Sequence, residues 1–220
     1  MQDRALRTRN TILGAAAKVF EEQGYRAATI AEILAEANVT KGALYFHFQS
    51  KEDLVEGVLE AQDATLTVPE RACKVQELVD LALLQAYRLE TDCMVRAGAR
   101  LTLDQQVAQR YRTGPFRRWT EKCEELLSDA GSRGELLPHV LPTETAAVFV
   151  GSFSGVQAMS QALNGYQDLV PQILRLLRHL LPSVVQSSVL TSIDLSEGRG
   201  GQVFEEIRDM RAELADLVSP

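Results

Sequence analysis

Three helix-start signals crowd into one stretch of this chain, at Thr29, Thr40 and Ser50, and they leave room only for short helices between them. Thr29 has Glu32 three residues on, the spacing of a capping box, and opens a helix that buries Ile30, Ile33, Leu34 and Ala37. Asn38 falls where the chain must turn, and Asn is the non-glycine residue that best tolerates a left-handed backbone. Thr40 restarts the chain as the N-cap of a helix over 41–48, and Ser50, with Asp53 at the capping-box position, begins the next. Two short helices joined by a tight turn make a helix-turn-helix. A longer helix over 4–23 precedes them, because Ile12, Ala15, Ala16, Val19 and Phe20 recur at helical spacing and Gly24 supplies a stop.

Beyond Thr65 the periodicity stays helical, with breaks at Pro69, Gly114-Pro115, 131–134, 138–142, Gly165, Pro182 and 198–201. Helices are expected over 69–91, 94–106, 115–130, 143–164, 167–181 and 202–217, and no strand pattern competes. The stretch 183–201 is the least regular and is expected to be partly disordered. The fold class is therefore all-α: a three-helix head with the helix-turn-helix over 1–51, followed by a larger helical domain over 52–220. A chain of 220 residues is long enough for both.

A net charge of −7 argues against nucleic acid until it is divided along the chain. Residues 1–51 carry +2 and the remainder −9, so only the head suits phosphate. The three cysteines, Cys73, Cys93 and Cys123, have no CxxC spacing and read as reduced structural thiols. The polar start MQDRALRTRN lacks the apolar core of a secretory signal, which points to the cytoplasm. The uncharged stretch 145–167 is long enough for a bilayer, but Ser152, Ser154, Gln157, Ser160, Gln161 and Asn164 make it a buried helix rather than a membrane span.

In the helix opened by Thr40, small residues lie at the start, where a recognition helix enters the major groove. Gly42 and Ala43 leave room for close approach. Lys41 can reach a guanine edge or a phosphate, and Tyr45, His47 and Lys51 have the reach and donors for the DNA backbone. Thr29 and Thr40 can add hydroxyl contacts to phosphates beside helix N-termini. Each residue also has an ordinary reading, Tyr45 as half-buried core, His47 as a solvated histidine and Lys51 as half of a surface ion pair. Leu44, Phe46 and Phe48 are assigned to packing. The run TIAEILAEANVTKGALYFHFQSKEDL, from Thr29 to Leu54, resembles the head of the TetR-type bacterial repressors, with Asn38 where that family usually has glycine. The resemblance implies that the residues above contact operator DNA.

The second half resembles a narrower branch, the γ-butyrolactone and butenolide autoregulator receptors of antibiotic-producing actinobacteria. The resemblance rests on the lone Trp119 in FRRWTEKCEELL, the segment VFVGSFSGVQ, and the VLEAQ run ending at Gln62. It implies that Trp119 lines the ligand pocket, and the acidic pI of about 5.1 fits a true receptor of that branch. A small uncharged lactone needs an apolar cavity with one or two polar groups. Phe149 and Phe153 share a helix face, and Ser154 and Gln62 could hydrogen-bond a lactone or its hydroxyl. Core packing is the competing reading for Trp119, Phe149 and Phe153.

The expected molecule is a homodimeric repressor released from a near-palindromic operator by a lactone-type effector. The alternative is a repressor of the same type that senses drugs or antibiotic intermediates through a broad pocket. An interface built from 143–164 and 167–181 is expected, since Leu169, Val170, Ile173, Leu176, Leu177 and Leu180 exceed one narrow stripe. Gly151 and Gly155 do not make a nucleophile elbow, because Phe153 stands where the serine would be. With His139 and His179 lacking any metal-site context and no nucleophile-base set present, neither enzyme activity nor a metal or other cofactor is expected.

Overall fold

The computed structural model describes residues 2–63 and 67–218. Its helices, in chain order, are α1 (Gln2–Ala27), α2 (Ile30–Ala37), α3 (Lys41–His47), α4 (Lys51–Asp63), α5 (Lys74–Thr91), α6 (Cys93–Leu103), α7 (Gln109–Ser132), α8 (Pro142–Asn164), α9 (Leu169–Leu180), α10 (Ser187–Leu190) and α11 (Arg199–Val218). Among the described residues the only extended pairing is a bridge between Leu136 and Val185. The chain divides into two compact units, Met1–Thr65 with Asp92–Arg117, and Leu66–Thr91 with Arg118–Pro220. The second division falls inside α7.

In the first unit, Ile12, Ala16 and Phe20 of α1, Ile33 of α2, Leu44 of α3, Leu54 and Val58 of α4 and Leu101 of α6 form one core and are fully buried. The first helix is straight to Gln23 and breaks at Gly24, whose φ of 79° is open to glycine at little cost. An Arg100 Nη1 hydrogen bond to the Glu21 carbonyl and an Arg96–Glu21 ion pair fasten this end of α1 to α6. The carbonyl is one that the break in the helix leaves available.

In the second unit, the start of α5 is capped from a distance. The Glu135 carboxylate accepts from the Lys74 N–H at 3.0 Å and the Val75 N–H at 2.8 Å, placing negative charge at a helix N-terminus. One turn on, the fully buried Asp80 accepts from Arg71 at 2.7 Å and from Arg199 at 2.6 and 2.8 Å. Two guanidinium partners make burial of that carboxylate tolerable. Beside it α11 crosses α5 so closely that a Cβ on Gly200 would clash with the Leu83 carbonyl. Pro142 suits the first turn of α8, where a missing N–H costs nothing, and Gly165 ends that helix at φ 64°. Leu169, Val170, Ile173, Leu174 and Leu177 of α9 are buried.

Four expectations change. Gly114-Pro115 does not interrupt the chain: α7 starts at Gln109 and runs through both. Pro115 forfeits one helical hydrogen bond, but the preceding turn is anchored by Arg112 Nε donating to the Thr102 carbonyl at 3.1 Å. The fifth helix begins at Lys74 rather than 69, at the N–H groups that Glu135 satisfies. The stretch 183–201 is structured through α10 and the start of α11, and it is tied in by Gln186 N–H to Glu135 O and Asp194 N–H to Gln76 Oε1. The uncharged part of α8, from Thr145 on, is not buried all round: Ala146, Phe149, Val150, Phe153, Gln157 and Ser160 are inside, while Val148, Met159 and Leu163 are exposed. No helix among the described residues is long and apolar enough to cross a membrane.

Gly200→Ala forces α11 away from α5 and is expected to cost about 1–3 kcal/mol by urea denaturation. Gly201→Ala, whose Cβ would meet Tyr87 at an ordinary 3.4 Å, is the control and is expected to change stability much less.

Candidate functional site

The first unit presents α3 through a tightly determined turn. Asn38 adopts φ 50° and ψ 46°, and its N–H returns to Ala35 O at 3.3 Å while Val39 N–H returns to Leu34 O at 3.4 Å. These bonds satisfy the last carbonyls of α2 and set the direction of the next helix. Thr40 Oγ1 accepts from the Ala43 N–H at 3.2 Å, which leaves the hydroxyl hydrogen to donate. Thr29 is more committed. Its N–H and its hydroxyl both donate to Glu32 Oε2, at 2.9 and 2.7 Å, and hold the Glu32 carboxyl below the usual range.

Leu44 of α3 and Phe48, the extended residue that caps its C-terminus, are buried, and Lys41, Gly42, Tyr45 and Phe46 are exposed. The assignment of Phe46 to packing is overturned, because the side chain is 76% exposed. Two residues from the buried Leu44, residue 46 falls on the opposite side of the helix, so helical periodicity carries the signal. Lys41 Nζ lies 5.7 Å from the centre of the Tyr45 ring, and the half-buried His47 meets Phe46 edge-on at 5.0 Å. A Cβ on Gly42 would meet nothing within 4 Å, so nothing inside the chain requires glycine there.

Lys51 is folded back rather than free. Its ammonium donates to the Tyr25 carbonyl and stands 4.4 Å over the Tyr25 ring, and burial draws its pKa below the usual lysine value. The Tyr25 phenol, pushed up to about 12 by burial and by its 2.6 Å hydrogen bond to Glu52, stays protonated. Gln62, at the end of α4, is also in the first unit and is 7% exposed, with its carboxamide lying against the bare backbone of Gly98 on α6.

The second unit brings three of the other candidates together. Trp119 of α7 meets Phe153 of α8 edge-on, ring centres 4.5 Å apart and planes at 90°, and Phe149 lies on the same buried face of α8. Such a ring pair adds about 0.5–1.5 kcal/mol beyond burial. Trp119 is 8% exposed, and its Nε1–H has no hydrogen-bond partner among the described residues. A buried donor left unmatched costs about 1–3 kcal/mol. Ser154 is half-buried and gives its hydrogen to the Val150 carbonyl at 2.8 Å, so it can only accept from a ligand. Among the described residues no group of His, Cys, Asp and Glu is arranged to hold a metal ion. Cys93 and Cys123 are pushed up to about 12, chiefly by burial, and remain thiols.

Residues 12–58 match the family model of bacterial regulatory proteins, tetR family. Over 200 residues the chain is 38% identical to the A-factor receptor protein of Streptomyces griseus, covering 90% of this chain and 71% of that one. The chain belongs to the tetR family. Full-length native tylp, a tetR regulator from Streptomyces fradiae, has the same fold at TM-score 0.83 and 41% identity, over 92% of this chain and 98% of that one. A γ-butyrolactone receptor described as ArpA-like matches at TM-score 0.72 and 30% identity, over 92% and 99% of the two chains.

The contact between Gln62 and Gly98 is tight enough to test. Gly98→Ala displaces the Gln62 side chain from its buried position and is expected to lower stability by about 1–3 kcal/mol in chemical denaturation, despite the better helix propensity of alanine. An unchanged or higher midpoint would show that Gln62 yields freely.

Proposed function

We propose that this chain is a homodimeric transcriptional repressor, released from a near-palindromic operator by a small effector of γ-butyrolactone or butenolide type. The observation that carries the DNA-binding part is the outward face of α3, where Lys41, Gly42, Tyr45 and Phe46 stand exposed on a helix clamped from behind by Leu44 and Phe48. The N-terminal end of α3 enters the major groove. Gly42 and Ala43 permit close approach, Lys41 reaches a base edge or phosphate, and Phe46 meets thymine methyl groups. Thr40 and Tyr45 contact the phosphate backbone, and Thr29, His47 and Lys51 flank them. Two such heads on a dimer sit about 34 Å apart to reach successive grooves.

The effector reading draws on the similarity to the A-factor receptor protein and the γ-butyrolactone receptor, and on the aromatic cluster of Trp119, Phe149 and Phe153 with its unmatched N–H. An apolar core holding a few polar groups suits a small uncharged lactone. Ser154, in the same unit, completes the candidate contacts. The dimer forms through the exposed apolar side of α8, Val148, Gly151, Gly155, Met159 and Leu163, with the half-exposed Leu176 and Leu180 of α9 beside it. Most of the apolar residues of α9 are spent inside its own unit, which makes α8 the larger contributor. The protein acts without catalysis, in the cytoplasm where its DNA lies.

The deciding experiment is binding of the purified chain to DNA from upstream of its own gene, with and without a synthetic γ-butyrolactone. A specific complex that dissociates on adding the lactone is the expected result, and one that persists removes this effector class. Gly42→Ala is expected to keep or raise the melting temperature while weakening specific binding by roughly tenfold or more, and Lys41→Ala to narrow the gap between specific and random DNA. Wild-type affinity in Gly42→Ala would take α3 out of the groove.

Gly155→Arg adds a charged side chain where a Cβ meets nothing within the chain. It should convert the dimer to a folded monomer in sedimentation at micromolar concentration. A dimer that persists would move the interface off α8.

A further inference from the structure

Gln85 stands on α5 in a position that the chain's own packing does not explain. The neighbouring residues Leu83 and Tyr87 face α11: Gly200 abuts both, and Tyr87 meets Phe204 with ring centres 5.6 Å apart. Two residues from each of them, Gln85 lies on the opposite side of the helix. Along that side it is accompanied by Leu78, Leu81, Ala82 and Leu89, all buried, with the buried Arg88 one turn further on and the buried Lys74 at the N-terminal end. Gln85 is itself 5% exposed, and its Oε1 has no hydrogen-bond partner among the described residues. A buried amide oxygen without a partner is destabilising, and a leucine or methionine would avoid that cost.

The second unit thus contains two buried polar atoms with unmet needs of opposite kind. Trp119 Nε1–H has a hydrogen to give and Gln85 Oε1 has lone pairs to receive one. A ligand that answers both carries an acceptor and a hydroxyl. We propose that Gln85 is a specificity-determining residue of the effector site, accepting a hydrogen bond from an effector hydroxyl while Trp119 donates to the lactone carbonyl. The inference rests on the effector reading above and narrows it: the effector is a hydroxylated lactone, and the deoxy form is discriminated against because it leaves Gln85 unmatched.

Trp119 is the chain's single tryptophan, so its fluorescence reports directly on this region. The test titrates a synthetic γ-butyrolactone with a hydroxylated alkyl side chain, and its deoxy analogue, into the full-length wild type and into Gln85→Met, which keeps shape but loses the acceptor. Wild type is expected to bind the hydroxylated lactone about tenfold or more tightly than the analogue. Gln85→Met is expected to erase that preference by losing affinity for the hydroxylated form alone, and to melt at a higher temperature without ligand. The same preference in both proteins overturns the inference. So does equal loss of both lactones together with a lower melting temperature, the result expected if Gln85 serves packing or binds a structural water. If wild type binds neither lactone, the effector class proposed above has failed by itself. The inference falls with it, whereas a hydroxyl preference shared by wild type and Gln85→Met overturns the inference and leaves the effector class standing.

Discussion

The left-handed backbone at Asn38 is the constraint on which the rest of the DNA reader depends. A residue with a side chain gives up about 1 kcal/mol to adopt that conformation. Here the turn is held by the hydrogen bonds that Asn38 and Val39 return to α2. Once the turn is set, Thr40 caps α3 and Leu44 and Phe48 lock it onto the core, with the Arg9 guanidinium 5.2 Å from the centre of the Phe48 ring. The residues left facing outward follow from helical geometry. Lys41, Gly42, Tyr45 and Phe46 are exposed because 44 and 48 are not.

The second unit is organised by α5, whose faces carry different kinds of interaction. Its N-terminus is satisfied by Glu135, one side is joined to α11 by Asp80 and its two arginines and by the close crossing at Gly200, and the side that carries Gln85 buries Leu78, Leu81, Ala82 and Leu89 along with Arg88. Charge is therefore spent where helices must be joined, and the polar atoms left unmatched, on Gln85 and Trp119, lie among apolar side chains. An interior that places polar groups without partners inside such surroundings is arranged for something that brings the partners with it.

The caps were legible in the sequence because they are local: Thr29 with Glu32, Thr40 with Ala43, and Asn38 in the turn all act within a few residues of themselves. The Trp119, Phe149 and Phe153 cluster was partly legible, since the two phenylalanines share a helix face and a lone tryptophan stands out. What escaped depends on distant partners. Pro115 reads as a helix breaker until Arg112 is seen fixed to Thr102. The stretch 183–201 lacks periodicity because Glu135 and Gln76 hold it, from far along the chain. Phe46 was a different failure, since its register against Leu44 and Phe48 was readable and its apolar character outweighed it.

Glycines separate what the chain needs for itself from what it offers outward. A glycine within a helix costs roughly 0.5–1 kcal/mol relative to alanine. At Gly57, Gly98 and Gly200 that cost is offset inside the chain, because a Cβ would strike Leu13, Gln62 or the Leu83 carbonyl. At Gly42, Gly151 and Gly155 a Cβ would meet nothing within 4 Å, so no internal contact offsets it. Gly14 is open in the same way, and nothing in the structure explains it. The other three lie on the two surfaces proposed above for partners, Gly42 on the exposed face of α3 proposed for DNA and Gly151 and Gly155 on the exposed apolar side of α8 proposed for a second copy. On that proposal, a bare helix backbone in both places allows an approach that a methyl group would prevent, and the stability given up in the isolated chain is recovered on association.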